Sequence, residues 1–210
     1  CTLPAWMAPE LPEEASLEEG ACLGVPAVTA YHSIFSDGSV EGKTVLVSGG
    51  GGRVGSYAVQ MAKLDGATVI AMVGQPENET YVKELGADHV VNYKNDDVAQ
   101  KVLDLTDGRG VDRISEVAFG ANVDLFDKIV VANGVVTAYS SDAVEKPVLP
   151  FSNLMFKNIT LRPFTIYQLP ETTKRAIFES INGMLKKGQL KHRVAAHHPF
   201  TLEGAIAAHE

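Results

Sequence analysis

The segment Val45-Leu46-Val47-Ser48-Gly49-Gly50-Gly51-Gly52-Arg53-Val54-Gly55 passes from an apolar run through a glycine cluster into helical spacing. It contains G-x-G-x-x-G as Gly50, Gly52 and Gly55, and G-x-x-G-x-x-G as Gly49, Gly52 and Gly55. Either pattern alone is weak; a strand before it and a helix after it make it specific. The chain must turn sharply there, and glycine tolerates the positive φ of such turns. A side chain at Gly52 would hold a pyrophosphate away from the backbone, and the helix starting near Arg53 offers free N–H groups and the positive end of its dipole. The alternatives are a glycine-rich turn without a ligand, and a kinase-type phosphate loop. The latter is disfavoured because no Lys-Ser or Lys-Thr follows the glycines.

Outward from this loop, strand and helix patterns alternate. Strands are predicted at 44–48, 68–73, 89–93, 111–117, 134–139 and 159–166. Helices are predicted at 21–35, 54–64, 77–85, 96–105, 123–131, 171–187 and 202–209. Parallel strands need crossover connections, and strands buried on both faces read as continuous apolar runs. The expectation is an α/β fold: a doubly wound parallel six-stranded sheet of Rossmann type, order 3-2-1-4-5-6. Residues 1–20 are acidic and Pro-rich and read as a linker or remnant of another domain. Residues 21–210 read as the dinucleotide-binding domain. The chain opens on Cys1 and stops inside a helical pattern, so it reads as a fragment at both ends.

Among 210 residues, 45% are hydrophobic and 21% charged, with a formal net charge of −8. Such a balance disfavours a nucleic-acid surface, whose footprint is a basic patch, and an anionic membrane. No apolar run approaches a membrane span. Two cysteines, Cys1 and Cys22, suit a reduced, cytoplasmic chain better than a disulfide scaffold. His197 and His198 are adjacent, so regular structure points them apart; they read as a solvated pair, and no metal site is expected. Tyr31, Tyr57 and Tyr93 could be proton donors, but a buried tyrosine more often packs, Tyr57 above all; Cys22 reads as a small core residue rather than a nucleophile. Lys186, Lys187, Lys191, His192 and Arg193 read as a basic cluster capping a helix C-terminus.

The second strand ends Met72-Val73-Gly74-Gln75 with no carboxylate at its tip. NAD-preferring sites usually carry an acid there to hold the ribose hydroxyls. Glu77 lies beyond Pro76, where an acid also suits a helix start. Arg53, Asn78 and Tyr93 could contact a 2′-phosphate, so the site favours NADPH over NADH.

Further segments carry a family likeness: 11–21 (Leu-Pro-Glu-Glu-Ala-Ser-Leu-Glu-Glu-Gly-Ala), 24–31 (Gly-Val-Pro-Ala-Val-Thr-Ala-Tyr), 85–93 (Leu-Gly-Ala-Asp-His-Val-Val-Asn-Tyr), Gly110-Val111-Asp112, Leu161-Arg162-Pro163 and Ala207-Ala208-His209-Glu210. With the glycine loop, they resemble the medium-chain dehydrogenase/reductase superfamily, in its quinone oxidoreductase branch of zeta-crystallin type. The likeness spans almost the whole chain and implies the cofactor domain of a two-domain enzyme. It places Thr29 under a nicotinamide, Gly51, Gly52, Arg53 and Val54 around the pyrophosphate, and Gly74, Gln75 and Tyr93 at the adenosine end. Asn122, Tyr139, Ser140 and Ser141 fall in loops after the fourth and fifth strands, and Phe164, Thr165 and Ile166 beside the nicotinamide amide. Two positions depart from the branch: Arg53 stands where a second glycine is common, and Asn78 where NADPH users often carry Lys. Val25 stands where zinc-dependent relatives carry a ligand Cys, which implies a zinc-free enzyme.

The implied activity is hydride transfer from NADPH to a quinone or an activated alkene or carbonyl, with no catalytic residue nameable in this chain. A non-enzymatic dinucleotide sensor or structural module, and an enoyl reductase of the same superfamily, are the rival readings. The apolar strand at 159–166 would be the sheet's outer edge, an invitation to pair with a second copy as a homodimer.

Overall fold

The computed structural model describes residues 2–141 and 143–209; Cys1 and Glu210, named above, lie outside the described residues. Six strands form one parallel sheet in the order β3-β2-β1-β4-β5-β6, as expected. They are β1 (Thr44–Ser48), β2 (Thr68–Val73), β3 (His89–Asn92), β4 (Val111–Glu116), β5 (Val130–Ala138) and β6 (Thr160–Pro163). The helices are α1 (Leu17–Phe35), α2 (Arg53–Leu64), α3 (Pro76–Glu84), α4 (Val98–Leu105), α5 (Phe119–Ile129), α6 (Phe151–Phe156), α7 (Glu171–Lys186) and α8 (Leu202–His209).

Both faces of the sheet are covered, which is why the central strands β1 and β2 are almost entirely apolar. Val45 and Val47 of β1, with Val69, Ala71 and Val73 of β2, pack beneath α1, α2 and α7. Leu46, Ile70 and Met72 point the other way and meet Val102 of α4, Phe126 and Ile129 of α5, and Leu154 of α6. Alternation with period two divides each strand between two cores. Full burial of a side chain such as Ile70 or Phe126 contributes about 1.5–3 kcal/mol.

Several boundaries differ from the sequence reading. The first helix begins at Leu17, not residue 21, because Ser16 and Glu19 form a reciprocal capping box. It is broken at Gly24 (φ 11°, ψ −124°), two residues before Pro26, whose ring cannot follow an unbroken helical turn. α5 spans Phe119–Ile129 rather than 123–131. Val130 and Val131 belong to β5, which starts opposite Val111, shifts register, and resumes at Val135. Asn133, at φ 62°, lies in that irregular stretch. α6 had no counterpart in the sequence reading; its one buried residue is Leu154. The sixth strand keeps only four residues of the expected 159–166, ending at Pro163.

Candidate functional site

All six strands point their C-terminal ends at one rim of the sheet, and the glycine loop sits on that rim after β1. Gly50 continues the ladder by donating its N–H to the Met72 carbonyl, and Gly52 donates to the Gly49 carbonyl. Gly49 takes φ 65°, a conformation that favours glycine. Among the described residues, the N–H groups of Gly51, Arg53 and Val54 donate to no carbonyl or side chain. Three aligned donors at the start of α2 make an anion cradle. A Cβ on Gly52 would meet only the Gly49 carbonyl oxygen at 3.2 Å, so this exposed glycine leaves its outer face open. The lack of a side chain at Gly55 clears the loop itself, since a Cβ there would collide with the Gly49 carbonyl.

At the next two strand ends, glycines again leave room for specific side chains. A Cβ on Gly51 would strike the Asn78 side chain at 2.5 Å, and one on Gly74 would collide with the Tyr93 phenol. Asn78 therefore lies on the loop, and the Tyr93 ring lies over Gly74 with 52% of the residue exposed. Gln75 is the exposed N-cap of α3. These residues follow the C-terminal ends of the neighbouring strands β1, β2 and β3 and form the wall at that side of the rim.

The other half of the rim holds a cleft of about 660 Å³, lined by Tyr139, Ser140, Ser141, Phe164 and Thr165 together with Phe119, Gln168 and Leu169. Phe164 anchors it through edge contact with His32 and by facing Tyr139. Burial and the neighbouring Glu116 carboxylate push the Tyr139 phenol above its ordinary range. Ser141 Oγ accepts the Gly120 N–H and donates to the Val144 carbonyl, which ties the loop after β5 to α5. Ile166 stands apart from this group. It lines a second, apolar groove with Val25, Val28 and Phe178. Thr29 is buried in α1 and its hydroxyl donates to the Val25 carbonyl.

Asn122 does not present its amide to the cleft. Its Nδ2 donates to both oxygens of Glu116 and to Ser48 Oγ. Glu116, only 1% exposed, also accepts the Ala118 N–H and joins the ends of β1 and β4 to α5. Sequence reading passed over this acid because it looks like one more strand residue. Burial pushes its carboxyl above the ordinary value of 4.5, so the folded chain binds that proton more tightly than the unfolded one. The resulting stabilisation is full below about pH 4.5 and is lost as pH rises through the folded-state value. His32 and His192 run the opposite way. Burial lowers both from 6.5, so their contribution is full above about pH 6.5 and is lost as pH falls through their folded values. Glu116→Gln isolates the first effect. Urea melts in pH steps upward from 4.5 should show the variant losing less stability than wild type. Equal pH slopes would contradict this assignment.

The remaining readings resolve as follows. Tyr57 is 4% exposed, and Tyr31 donates its hydroxyl to Ser180; both pack. Cys22 is half-buried rather than a core residue. The basic cluster serves two helix ends: Lys186 lies in the last turn of α7 with Lys187 as its C-cap, and Lys191 Nζ donates to the Glu84 carbonyl at the end of α3. His197 and His198 are exposed. Among the described residues, no group of three or more His, Cys, Asp or Glu is placed to hold a metal ion, and no helix is long and apolar enough to cross a membrane.

Comparison with known proteins agrees with this geometry. Residues 54–181 match the family described as zinc-binding dehydrogenase. The chain is 31% identical over 196 residues to the chloroplastic quinone-oxidoreductase homolog of Spinacia oleracea, covering 90% of this chain and 57% of that protein. It is 28% identical over 205 residues to the quinone oxidoreductase of Homo sapiens, covering 96% and 60%. The chain thus spans somewhat over half the length of these relatives. The crystal structure of Escherichia coli quinone oxidoreductase complexed with NADPH superposes with a TM-score of 0.81 at 19% identity, over 89% of this chain and 59% of that one; at that identity the likeness concerns the fold. With its glycine loop, its strand order and a family match over more than half its length, the chain belongs to the zinc-binding dehydrogenase family, as a quinone oxidoreductase-like cofactor-binding domain of the medium-chain dehydrogenase/reductases.

Proposed function

We propose that this chain holds NADPH for a zinc-free reductase whose acceptor is a quinone or an activated alkene or carbonyl. The observation that carries the reading is the cradle of free N–H groups at Gly51, Arg53 and Val54, beside an open Gly52. That cradle suits a pyrophosphate, Gly74, Gln75 and Tyr93 suit an adenosine, and the cleft at Tyr139, Ser140, Ser141, Phe164 and Thr165 suits a nicotinamide; Thr29, buried in α1, and Ile166, in the separate apolar groove, do not line that cleft. Asn122 would act through Glu116 rather than by contact. Bound there, NADPH supplies the hydride, and the protein contributes orientation and a shielded surface. The absence of an acid at the tip of β2 supports the 2′-phosphorylated cofactor, and Val25 at the position of a ligand Cys supports the zinc-free reading. A reduced compartment such as the cytoplasm fits the sparse cysteines. Titration of the chain should give a lower Kd for NADPH than for NADH, with little quinone turnover until the rest of the parent protein is supplied. A preference for NADH, or full reductase activity from these residues alone, contradicts the reading.

The parent is further proposed to be a homodimer joined along the edge at 159–166, with residues 1–20 leading out of its other domain. β6 is the outermost strand, and the α6 residues before it leave Phe151, Met155 and Phe156 exposed, the last at 83%. Exposed apolar residues beside an unpaired edge favour a partner strand. Leu161 packs into the core and would confound a test, so Phe156→Lys with Thr160→Lys is the better probe. Sedimentation should show wild type as a dimer and the double variant as a monomer. A wild-type monomer at micromolar concentration refutes the dimer, and an unaltered dimer in the variant places the joint elsewhere.

A further inference from the structure

On the wall that would face a 2′-phosphate, the first turn of α3 carries no cation, and Lys94 lies exposed just beyond Tyr93. The first turn of α3 offers Glu77, Asn78 and Glu79. Glu79 is engaged by Asn92, and Arg53 stands at the start of α2, by the pyrophosphate cradle. One further cation reaches this wall from far along the chain. Arg193 donates through Nη1 to Asn78 Oδ1 at 3.3 Å, and its guanidinium lies over the Tyr81 ring, 4.9 Å from the centroid. Asn78 is the residue that rests on Gly51 of the phosphate loop.

The arm that delivers Arg193 is anchored. Gln60, buried in α2, grips Lys191 from both sides of its backbone: its Oε1 accepts the Lys191 N–H and its Nε2 donates to the Lys191 carbonyl. His192 Nδ1 shares a 2.9 Å hydrogen bond with the buried Tyr57 hydroxyl. Lys191 Nζ closes the end of α3. Three consecutive residues are thus docked on α2 and α3, and the third reaches the cofactor wall. Among the described residues no carboxylate forms an ion pair with Arg193, so its charge is not already neutralised.

We propose that Arg193 is the specificity-determining residue for the 2′-phosphate, supplying from the segment after α7 the cation that Asn78 does not. This rests on the NADPH reading above. A guanidinium suits the task because its planar fork can donate to a phosphate while keeping one contact to Asn78 and its stacking on Tyr81.

The test is titration of the chain with NADPH and NADH, followed by nicotinamide fluorescence, for wild type, Arg193→Gln and the double variant Arg193→Gln with Asn78→Lys. Arg193→Gln should weaken NADPH by about tenfold to a hundredfold, the loss of a charge-assisted phosphate contact, and leave NADH within about twofold. Lysine at position 78 should restore the NADPH preference by returning a cation to the same wall. Thermal melts report folding, and Arg193 is exposed enough for them to be unchanged. A wild-type preference for NADPH that persists undiminished in Arg193→Gln overturns the assignment of Arg193 alone. Equal weakening of both cofactors overturns it too, since a role in general shape would do that. A wild-type chain that prefers NADH, or binds neither, overturns the underlying NADPH reading.

Discussion

Gly52→Asp is expected to weaken dinucleotide binding by about a hundredfold or more while leaving the fold at least as stable as wild type. The two effects separate because of where Gly52 sits. It is the N-cap of α2 with extended backbone (φ −80°, ψ 176°), a conformation that Asp adopts freely. Aspartate is a favoured N-cap residue, and its charge complements the helix dipole. The Cβ meets only a carbonyl oxygen at 3.2 Å, which a small adjustment accommodates. The carboxylate, however, would fill the open side of the N–H cradle and face a pyrophosphate with like charge. Repulsion between unit charges about 4 Å apart near a protein surface is about 4 kcal/mol. Calorimetric titration beside a thermal melt decides the matter. Unchanged affinity in the folded variant would sink the assignment of this loop, and a collapsed melting temperature would show that Gly52 is needed for folding instead.

Gly55→Ala reverses that pattern, with a loss of stability of about 3 kcal/mol expected from overpacking against backbone. The added methyl would collide with the Gly49 carbonyl oxygen and come within 2.8 Å of the Gly49 carbonyl carbon and the Gly50 Cα. None of these atoms can rotate away. The Gly49 carbonyl also accepts the Gly52 N–H, so displacing it dismantles the turn that shapes the cradle. Chemical denaturation of Gly55→Ala against Gly52→Ala compares a blocked glycine with an open one. Wild-type stability in Gly55→Ala would mean that the loop has slack that this geometry does not show.

Together the two glycines explain why the motif spacing matters. Gly55 is required by the chain's own backbone, whereas Gly52 is required only by the dinucleotide proposed above. A Gly-rich turn without a ligand would need the first but not the second, and the free N–H groups at Gly51, Arg53 and Val54 have no role in a turn alone.

Local patterns carried most of the architecture. The central strands β1 and β2 are short apolar runs because helices cover both faces; no distant residue is needed to recognise them. The same holds for the glycine loop, where turn, helix start and anion cradle all lie within 49–55. Boundaries were less legible where a partner decides them. β5 reaches back to Val130 because Val111 pairs with it, and β6 ends at Pro163, after which the Phe164 N–H still donates to the Ala138 carbonyl of β5. The break at Gly24 has a local signal in Pro26, which reading 21–35 as one helix passes over.

The site divides along the same line. Gly74 and Tyr93 could be named from their positions at strand ends, but that one glycine makes room for the other's ring is a fact of packing. Asn122 reads as a loop residue in the sequence, whereas it lies in α5; its role as the clamp on Glu116 was not legible, since β1, β4 and α5 must assemble before Ser48, Glu116 and Asn122 meet. Arg193 is the extreme case. Within the sequence it belongs to a basic run that looks like a helix cap. Its partner Asn78 lies 115 residues earlier, and only docking of the segment after α7 onto α2 brings its charge to the phosphate wall. Periodicity and turn chemistry act over a few residues and survive in the unfolded chain; the pairing of charges across such distances exists only once the chain is closed upon itself.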